Sequence, residues 1–186
     1  MAGGFGTGKT TFIGSVSEVP VVGTESEMTR DSVPVDDASA TPDKTSTTVL
    51  MDFGRRTLPP DDTIVLYLFG TPGQSRFLSQ WQDIARGAIG ALVLVDPRRL
   101  DASFEALDLV ERSGMPYAVA ANVFPGAEDV PEPTLRRHLD LAAHTPLVSC
   151  RATDADSSLG ALIVLAEHAL HQAQRQQQAG ALEGAS

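Results

Sequence analysis

After about residue 48 the chain alternates between apolar runs of strand length and segments with helical spacing. Strands are predicted at residues 48–58, 63–69, 89–95, 117–121 and 146–149, and helices at residues 75–86, 103–112, 133–139 and 159–171. Residues 64–66 and 92–94 are continuously apolar, which is typical of strands covered on both faces. The pattern therefore predicts an α/β fold, a three-layer sandwich whose mostly parallel sheet carries helices on both sides.

Local signals mark several boundaries in this pattern. Ser103 is a candidate N-cap for the helix that follows it, and Gly114 is a candidate stop signal for the same helix. The Pro-Pro-Asp-Asp stretch at residues 59–62 predicts a turn between two strands. We expect one domain over residues 1–171, followed by a Gln-rich, disordered tail at residues 172–186.

Two stretches interrupt the alternation. Residues 24–47 are rich in Ser, Thr, Asp and Pro and have no apolar periodicity, which predicts a long mobile loop. At the start, only Met1 and Ala2 precede a glycine-rich loop of a kind that normally follows a central buried strand. Either the fold lacks this central first strand or the given sequence begins inside it. We favour the second interpretation, which predicts that the chain as written folds poorly.

Composition limits the classes of partner. The chain has 186 residues, of which 42% are hydrophobic, as expected of one globular domain. Its formal net charge of −10 argues against nucleic acid or an anionic membrane as the main partner, because both repel an acidic surface. A single cysteine, Cys150, fits a reducing compartment, and no apolar run is as long as a membrane span. We therefore expect a cytoplasmic protein that is not integral to a membrane.

Residues 3–10, Gly-Gly-Phe-Gly-Thr-Gly-Lys-Thr, match the phosphate-binding P-loop pattern G-x-x-x-x-G-K-[ST]. Glycines permit the turns that point successive backbone N–H groups at a phosphate. Lys9 adds a point charge for the β- and γ-phosphates, the Thr10 hydroxyl is a candidate Mg²⁺ ligand, and a helix beginning near Lys9 directs its N-terminus at the anion. The candidate cofactor-binding residues here are Gly3, Gly4, Phe5, Gly6, Thr7, Gly8, Lys9, Thr10 and Thr11. With this motif the fold class becomes a P-loop NTPase.

Four segments carry a family resemblance. They read AGGFGTGKTTFIGSVSE from residue 2, TTVLMDFGR from residue 47, LFGTPGQ from residue 68 and SLGALIVLAEHAL from residue 158. Together they resemble the Ras-like small GTPases, and more closely the bacterial branch that includes the gliding-motility polarity GTPase and the actinobacterial conservon GTPases. The resemblance extends from Ala2 to about His171.

The resemblance implies a switch region. Residues 24–47 would form the switch I loop, and Thr48 would be the switch threonine that closes over Mg²⁺ and the γ-phosphate. Gly73 would sense the γ-phosphate through its N–H, and Gln74 would orient the attacking water. On this basis Gln74 and Thr48 are the implied catalytic residues, and Thr10 and Thr48 are the implied metal ligands.

The resemblance also implies a site for the base. Asn122 stands where the family's N-K-x-D motif begins, but Pro125 stands where the aspartate that grips guanine would be. Without that carboxylate the chain is expected to discriminate less strongly between guanine and adenine. The family's base-contacting S-A-K loop corresponds to Cys150, Arg151 and Ala152.

Further departures concern the metal and the rate of hydrolysis. Gly70 replaces the Mg²⁺-associated aspartate of the D-x-x-G motif, so the metal would be held by Thr10, phosphates, water and Thr48. The polarity GTPases carry an arginine before the switch threonine that helps hydrolysis, whereas this chain has Thr47. Asp96, which ends a predicted strand, is interpreted as a structural cap rather than a metal ligand.

The expected function is a GTP-binding regulatory switch with slow, partner-stimulated GTP hydrolysis. GTP or GDP and Mg²⁺ are the expected cofactors, with ATP left open. The resemblance implies two partners, a roadblock-type activating protein and a sensor kinase-like protein, and recruitment to the membrane through such a partner. The alternative is an ATP/GTP-binding module that hardly hydrolyses and acts as a signalling adaptor. A P-loop kinase for a small metabolite is a third hypothesis, weakened because residues 24–47 hold one arginine and one lysine.

Overall fold

The computed structural model describes residues 1–27, 48–60, 63–71, 85–127 and 130–183. Its strands are β1 (Val22–Glu27), β2 (Thr48–Leu58), β3 (Ile64–Gly70), β4 (Ala91–Val95), β5 (Tyr117–Asn122) and β6 (Leu147–Cys150). Its helices are α1 (Lys9–Val16), α2 (Phe104–Ser113), α3 (Glu132–His138) and α4 (Ala155–Glu183), and a short 3₁₀ turn (Leu100–Ser103) leads into α2. The predicted helix at residues 75–86 lies almost wholly outside the described residues.

The described strands form two three-stranded sheets. Strands β4, β5 and β6 run parallel, with Val93 opposite Val119. Strands β1, β2 and β3 are antiparallel, with Asp52 of β2 opposite Gly70 of β3. The link from β2 to β3 is too short for a crossover helix, and such short links join antiparallel neighbours. The α/β class is confirmed, with parallel pairing in the half that carries the crossover helices.

Met1 and Ala2 lie between the two sheets. Ala2 donates its N–H to Leu92 O at 2.9 Å and accepts the Leu94 N–H at 2.9 Å, while Met1 O accepts the Thr71 N–H at 3.0 Å. A cavity of about 370 Å³ adjoins Met1 between β3 and β4. Its apolar lining includes Leu66, Leu68, Leu92, Leu162 and Leu165. Among the described residues, Met1 and Ala2 thus stand at the place where the sequence predicts a central strand.

The core consists of two apolar clusters on opposite faces of β4, β5 and β6. Because side chains alternate along a strand, Val93 and Val119 point to one face and Leu92 and Ala118 to the other. Helices α2 and α3 cover the first face, and α1 and α4 cover the second. This arrangement is the predicted three-layer sandwich.

Strand β1 corrects the prediction that residues 24–47 form one long loop. Residues 22–27 pair antiparallel with residues 48–53 of β2, so the first four residues of the predicted loop belong to a strand. Backbone pairing stabilises such an edge strand although its sequence lacks an apolar pattern. Residues 28–47 lie outside the described part of the chain.

Helix α4 corrects the prediction of a disordered tail. The helix begins after Asp154, whose carboxylate accepts the Ser157 N–H at 2.7 Å, and continues through the Gln-rich stretch to Glu183. Ala, Gln, Leu and Arg are good helix formers, so this polar stretch can extend a helix that is already nucleated by packing. None of the helices in the described ranges has both the length and the apolarity needed to cross a membrane.

The boundaries of α2 are close to those predicted. Gly114 ends the helix in the left-handed conformation at φ 69°, and its N–H bonds to Glu111 O at 3.1 Å. Ser103 precedes the helix but makes no capping bond, and its hydroxyl is buried without a hydrogen-bond partner. Ser103 therefore precedes the helix as predicted, but its side chain does not cap the helix, because the 3₁₀ turn continues directly into it.

Replacing Leu162 with Ala should lower the free energy of unfolding by about 2–5 kcal/mol, because it removes buried apolar volume from the core cluster that contains Phe12 and enlarges the adjoining cavity. Leu162 is 2% exposed and Leu170, on the same helix, is 57% exposed. The matched variant Leu170→Ala should cost less than about 1 kcal/mol. Urea unfolding of both variants measures the difference. Equal losses would show that α4 does not pack as described.

Candidate functional site

The glycine-rich loop runs from Gly3 to Gly8 and leads directly into α1. Gly8 adopts φ 98°, where a side chain is strained, and a Cβ there would lie 2.7 Å from the Asn122 amide nitrogen. Gly3 adopts φ 135°, and a Cβ there would overlap the carbonyl oxygen of Leu94. The loop therefore requires glycine at both ends. Its backbone turns so that it lies against the end of β4 and the N-terminus of α1.

The Lys9 side chain folds back across this loop. Its Nζ donates to Gly3 O and Gly4 O, each at 2.8 Å, and the residue is 8% exposed. Burial lowers the pKa of Lys9 from 10.5 to about 8, and the nearby Asp52 carboxylate partly offsets this effect. The ammonium is thus still the main form at neutral pH. A buried cation beside a helix N-terminus is a strong attractor for an anion.

Thr10 and Asp52 meet at the start of α1. The Thr10 hydroxyl donates to Asp52 Oδ2 at 2.5 Å, which brings β2 against the first turn of the helix. Thr11, the next residue, is exposed. No sequence motif singled out Asp52 as a site residue. The available signal was a lone carboxylate inside the apolar stretch TVLMDF.

Asn122, at the end of β5, connects the glycine loop to the β6–α4 loop. Its Nδ2 donates to Thr7 O at 3.0 Å, and its Oδ1 accepts the Ala152 N–H at 3.0 Å. Both Asn122 and Ala152 are buried, at 4% and 3% exposure. The structure therefore brings the predicted residues Thr7, Asn122 and Ala152 together.

The remaining residues of the predicted base-contacting loop have different environments. Cys150 is buried in the core cluster with Phe12 and Leu162, and burial raises the pKa of its thiol to about 12. The thiol therefore packs in the core and is protonated at neutral pH. Arg151 is exposed, and its backbone N–H bonds to the Ser157 hydroxyl at 2.9 Å.

Asp96 and two arginines form a polar group beside the loop. Arg98 holds the buried Asp96 carboxylate through bonds of 2.9 and 2.8 Å, and these bonds hold the pKa of Asp96 below its usual value. Arg99 lies 3.6 Å from the same carboxylate and donates to Phe5 O at 3.3 Å. These contacts agree with the structural role expected of Asp96. The contact between Arg99 and the loop was not foreseen from the sequence.

The structure leaves the switch residues largely undescribed. Thr48 begins β2 opposite Glu27. Gly73 and Gln74 lie outside the described residues, so their predicted roles stay predictions. Across the described ranges, no group of three or more His, Cys, Asp or Glu side chains could hold a metal ion.

The fold and this loop define a P-loop protein with a G-domain-like α/β architecture. A family model described as conserved hypothetical ATP binding protein matches residues 1–172, and the chain belongs to that family. No protein of curated function matches the chain. The family and fold confirm the P-loop class expected from the sequence, while the resemblance to conservon and polarity GTPases stays a prediction.

Two solved structures illustrate the fold. The G domain of the T. maritima FeoB iron transporter has a TM-score of 0.57 at 16% identity, over 89% of this chain and 95% of that chain. A mutant form of S. thermophilus NFeoB bound to GDP has a TM-score of 0.57 at 16% identity, over 91% of this chain and 58% of that chain. At this identity the likeness concerns the fold.

Asn122→Ala should lower the free energy of unfolding by about 1–3 kcal/mol, because it leaves the buried Ala152 N–H without a partner. Gln172→Ala serves as the control, because it removes a partly buried amide that bonds to His168 of the same helix at 2.8 Å. It should cost less than about 0.5 kcal/mol. Chemical unfolding followed by circular dichroism compares the two. If both variants were as stable as the unmodified chain, Asn122 would not hold the loop in place.

Proposed function

We propose that the chain is a GTP-binding regulatory switch with slow, partner-stimulated GTP hydrolysis. The observation that carries this proposal is the loop at residues 3–8, with the Lys9 ammonium 2.8 Å from the Gly3 and Gly4 carbonyl oxygens. A glycine loop, a buried cation and a helix N-terminus together are the parts that bind nucleotide phosphates in P-loop proteins. The proposed nucleotide ligands are the loop residues Gly3–Gly8 with Lys9, Thr10 and Thr11, followed by Gly73, Asn122, Cys150, Arg151 and Ala152.

Local charge supports phosphate binding although the chain is acidic overall. The formal net charge is −10, so the protein as a whole does not attract anions. Lys9 is nevertheless buried at the start of α1. The backbone N–H groups of the first helical turn have no partner within the helix, and they add to the positive potential at this end. An incoming phosphate would replace the carbonyl partners of Lys9 with a full negative charge. This exchange favours polyphosphates over neutral ligands.

The oxygen ligands at the site fit Mg²⁺. The Thr10 hydroxyl is exposed at the first turn of α1, where a P-loop Thr or Ser binds the ion. Thr48 is the second proposed ligand, from the resemblance to Ras-like GTPases. When bound, Mg²⁺ would neutralise phosphate charge, while Gln74 would orient the attacking water. Hydrolysis would release the segments that contain Thr48 and Gly73, which is the basis of the proposed switch.

Base recognition favours a second candidate, an ATP/GTP-binding module with little or no hydrolysis that acts as a signalling adaptor. The Asn122 side-chain amide already donates a hydrogen bond to Thr7 and accepts one from Ala152. Pro125 supplies no carboxylate for a guanine, and the matching family is described as ATP-binding. Titrations of GTP, GDP and ATP into the chain would decide which base it prefers.

The resemblance is also the basis for the proposed partners and location. We propose a roadblock-type activating protein and a sensor kinase-like protein as partners, and a cytoplasmic location with recruitment to the membrane.

Lys9→Ala should weaken GDP binding by about 10- to 100-fold, because it removes a charge-assisted contact to phosphate. Arg112→Ala is the matched control, since it also removes one positive charge, from a side chain that is 79% exposed on α2. Isothermal titration of GDP, GTP and ATP into the unmodified chain and both variants measures the effect. Binding that is equally strong in Lys9→Ala would contradict a phosphate site at this loop.

Gln74→Leu should slow stimulated GTP hydrolysis by about 100-fold, because the attacking water loses its orientation. Gln176→Leu, on the exposed part of α4, should leave the rate unchanged. The measurement is single-turnover phosphate release from GTP-loaded protein, with and without a roadblock-type protein. If Gln74→Leu hydrolyses GTP normally, the assigned role is wrong. If the unmodified chain releases no phosphate under any condition, the binding module is the correct function.

A further inference from the structure

Asp52 and Gly70 are directly paired on neighbouring strands. Gly70 ends β3 and occupies the position of the D-x-x-G aspartate in Ras-like proteins, while Asp52 lies opposite it on β2. Residues opposite each other in an antiparallel pair place their side chains on the same face of the sheet. A carboxylate carried by β2 at this register therefore reaches the same region as one carried by β3.

Position 70 is crowded, so a side chain there would have to displace its neighbours by a few tenths of an ångström. A Cβ at Gly70 would lie 3.1 Å from the Asp52 Cβ, 3.2 Å from Asp52 Oδ2 and 3.0 Å from Ile13 Cδ1. The Asp52 side chain thus fills the space beside Gly70. The Asp52 carboxylate therefore lies in the region that an aspartate at position 70 would reach.

The Asp52 carboxylate also touches the metal-binding hydroxyl of the proposed site. Asp52 Oδ2 lies 2.5 Å from Thr10 Oγ1. Neighbouring ligands of an octahedral Mg²⁺ are about 2.9 Å apart, and this ion prefers carboxylate, hydroxyl, water and phosphate oxygens. The two oxygens are therefore close to the separation that adjacent ligands need. Thr10 directly follows Lys9 in the chain, so this contact places the carboxylate beside the phosphate loop.

We propose that Asp52 supplies the carboxylate of the Mg²⁺ site, in place of the aspartate that position 70 lacks. This inference rests on the proposed function, since the metal would arrive with the nucleotide. Thr10 and Asp52 would hold the ion between α1 and β2. Because β2 begins at Thr48, the metal would also connect the phosphate site to the strand that follows the proposed switch I loop.

The test uses the full chain loaded with GDP and measures Mn²⁺ binding by electron paramagnetic resonance. Asp52→Asn keeps the size and a hydrogen-bond acceptor but removes the charge. It should weaken Mn²⁺ binding by about 10- to 100-fold. GDP affinity measured in EDTA should not fall, because the variant removes a negative charge from beside the phosphate loop and keeps Lys9. Asp108→Asn is the control, because Asp108 is an exposed carboxylate on α2.

A second variant separates the missing carboxylate from a folding defect. Asp52→Gly combined with Gly70→Asp moves the carboxylate to β3, and the exchange removes both Asp52 contacts that crowd position 70. Ile13 Cδ1, at 3.0 Å, is the remaining close neighbour and would have to shift by a few tenths of an ångström. The exchange should recover most of the Mn²⁺ affinity that Asp52→Gly alone loses.

The outcomes separate this inference from the proposed function. Unchanged Mn²⁺ affinity in Asp52→Asn, with normal GDP binding, overturns the role of Asp52 and leaves the proposed function standing. An exchange variant that folds and binds GDP in EDTA but recovers no Mn²⁺ affinity also overturns it. Failure of the unmodified chain to bind GDP with or without metal overturns the proposed function and this inference together.

Discussion

The side-chain amide of Asn122 joins three segments that are far apart in the sequence. It ends β5, donates to Thr7 in the glycine loop and accepts from Ala152 after β6, with both bonds at 3.0 Å and buried. A buried amide with both groups satisfied fixes the relative position of its neighbours, since breaking either bond leaves a buried polar group unpaired. These two bonds therefore hold the glycine loop against the ends of the parallel strands.

The loop held in this way concentrates charge in an acidic protein. Lys9 is buried among carbonyl oxygens, and its lowered pKa, about 8, reflects the cost of that burial. An anion at the loop would relieve this cost, and a divalent cation beside Thr10 and Asp52 would balance the anion. Asp52 comes from β2, so the proposed metal site depends on the antiparallel half of the molecule as well as on the P-loop. Metal binding would therefore depend on where β2 lies relative to α1.

The sequence predicted the parallel half of the fold and the P-loop because both depend on local patterns. Apolar runs mark β4 and β5, and the spacing of Gly3, Gly8 and Lys9 marks the loop. The position of Asp52 beside Thr10 was missed because it depends on the packing of β2 against α1, which no local pattern records. Strand β1 and the end of α4 were missed for a related reason. Pairing with β2 and extension of a packed helix stabilise polar segments that have weak signals of their own.

The central claim is that phosphate binds at residues 3–10, and amide chemical shifts test it most directly. GDP is titrated into isotope-labelled protein and followed by two-dimensional ¹H–¹⁵N nuclear magnetic resonance. We expect the largest shifts at the N–H groups of Gly6, Gly8, Lys9 and Thr10. Shifts centred instead on the apolar cavity near Leu66 and Leu165, or no shifts at the loop at saturating GDP, would contradict this claim.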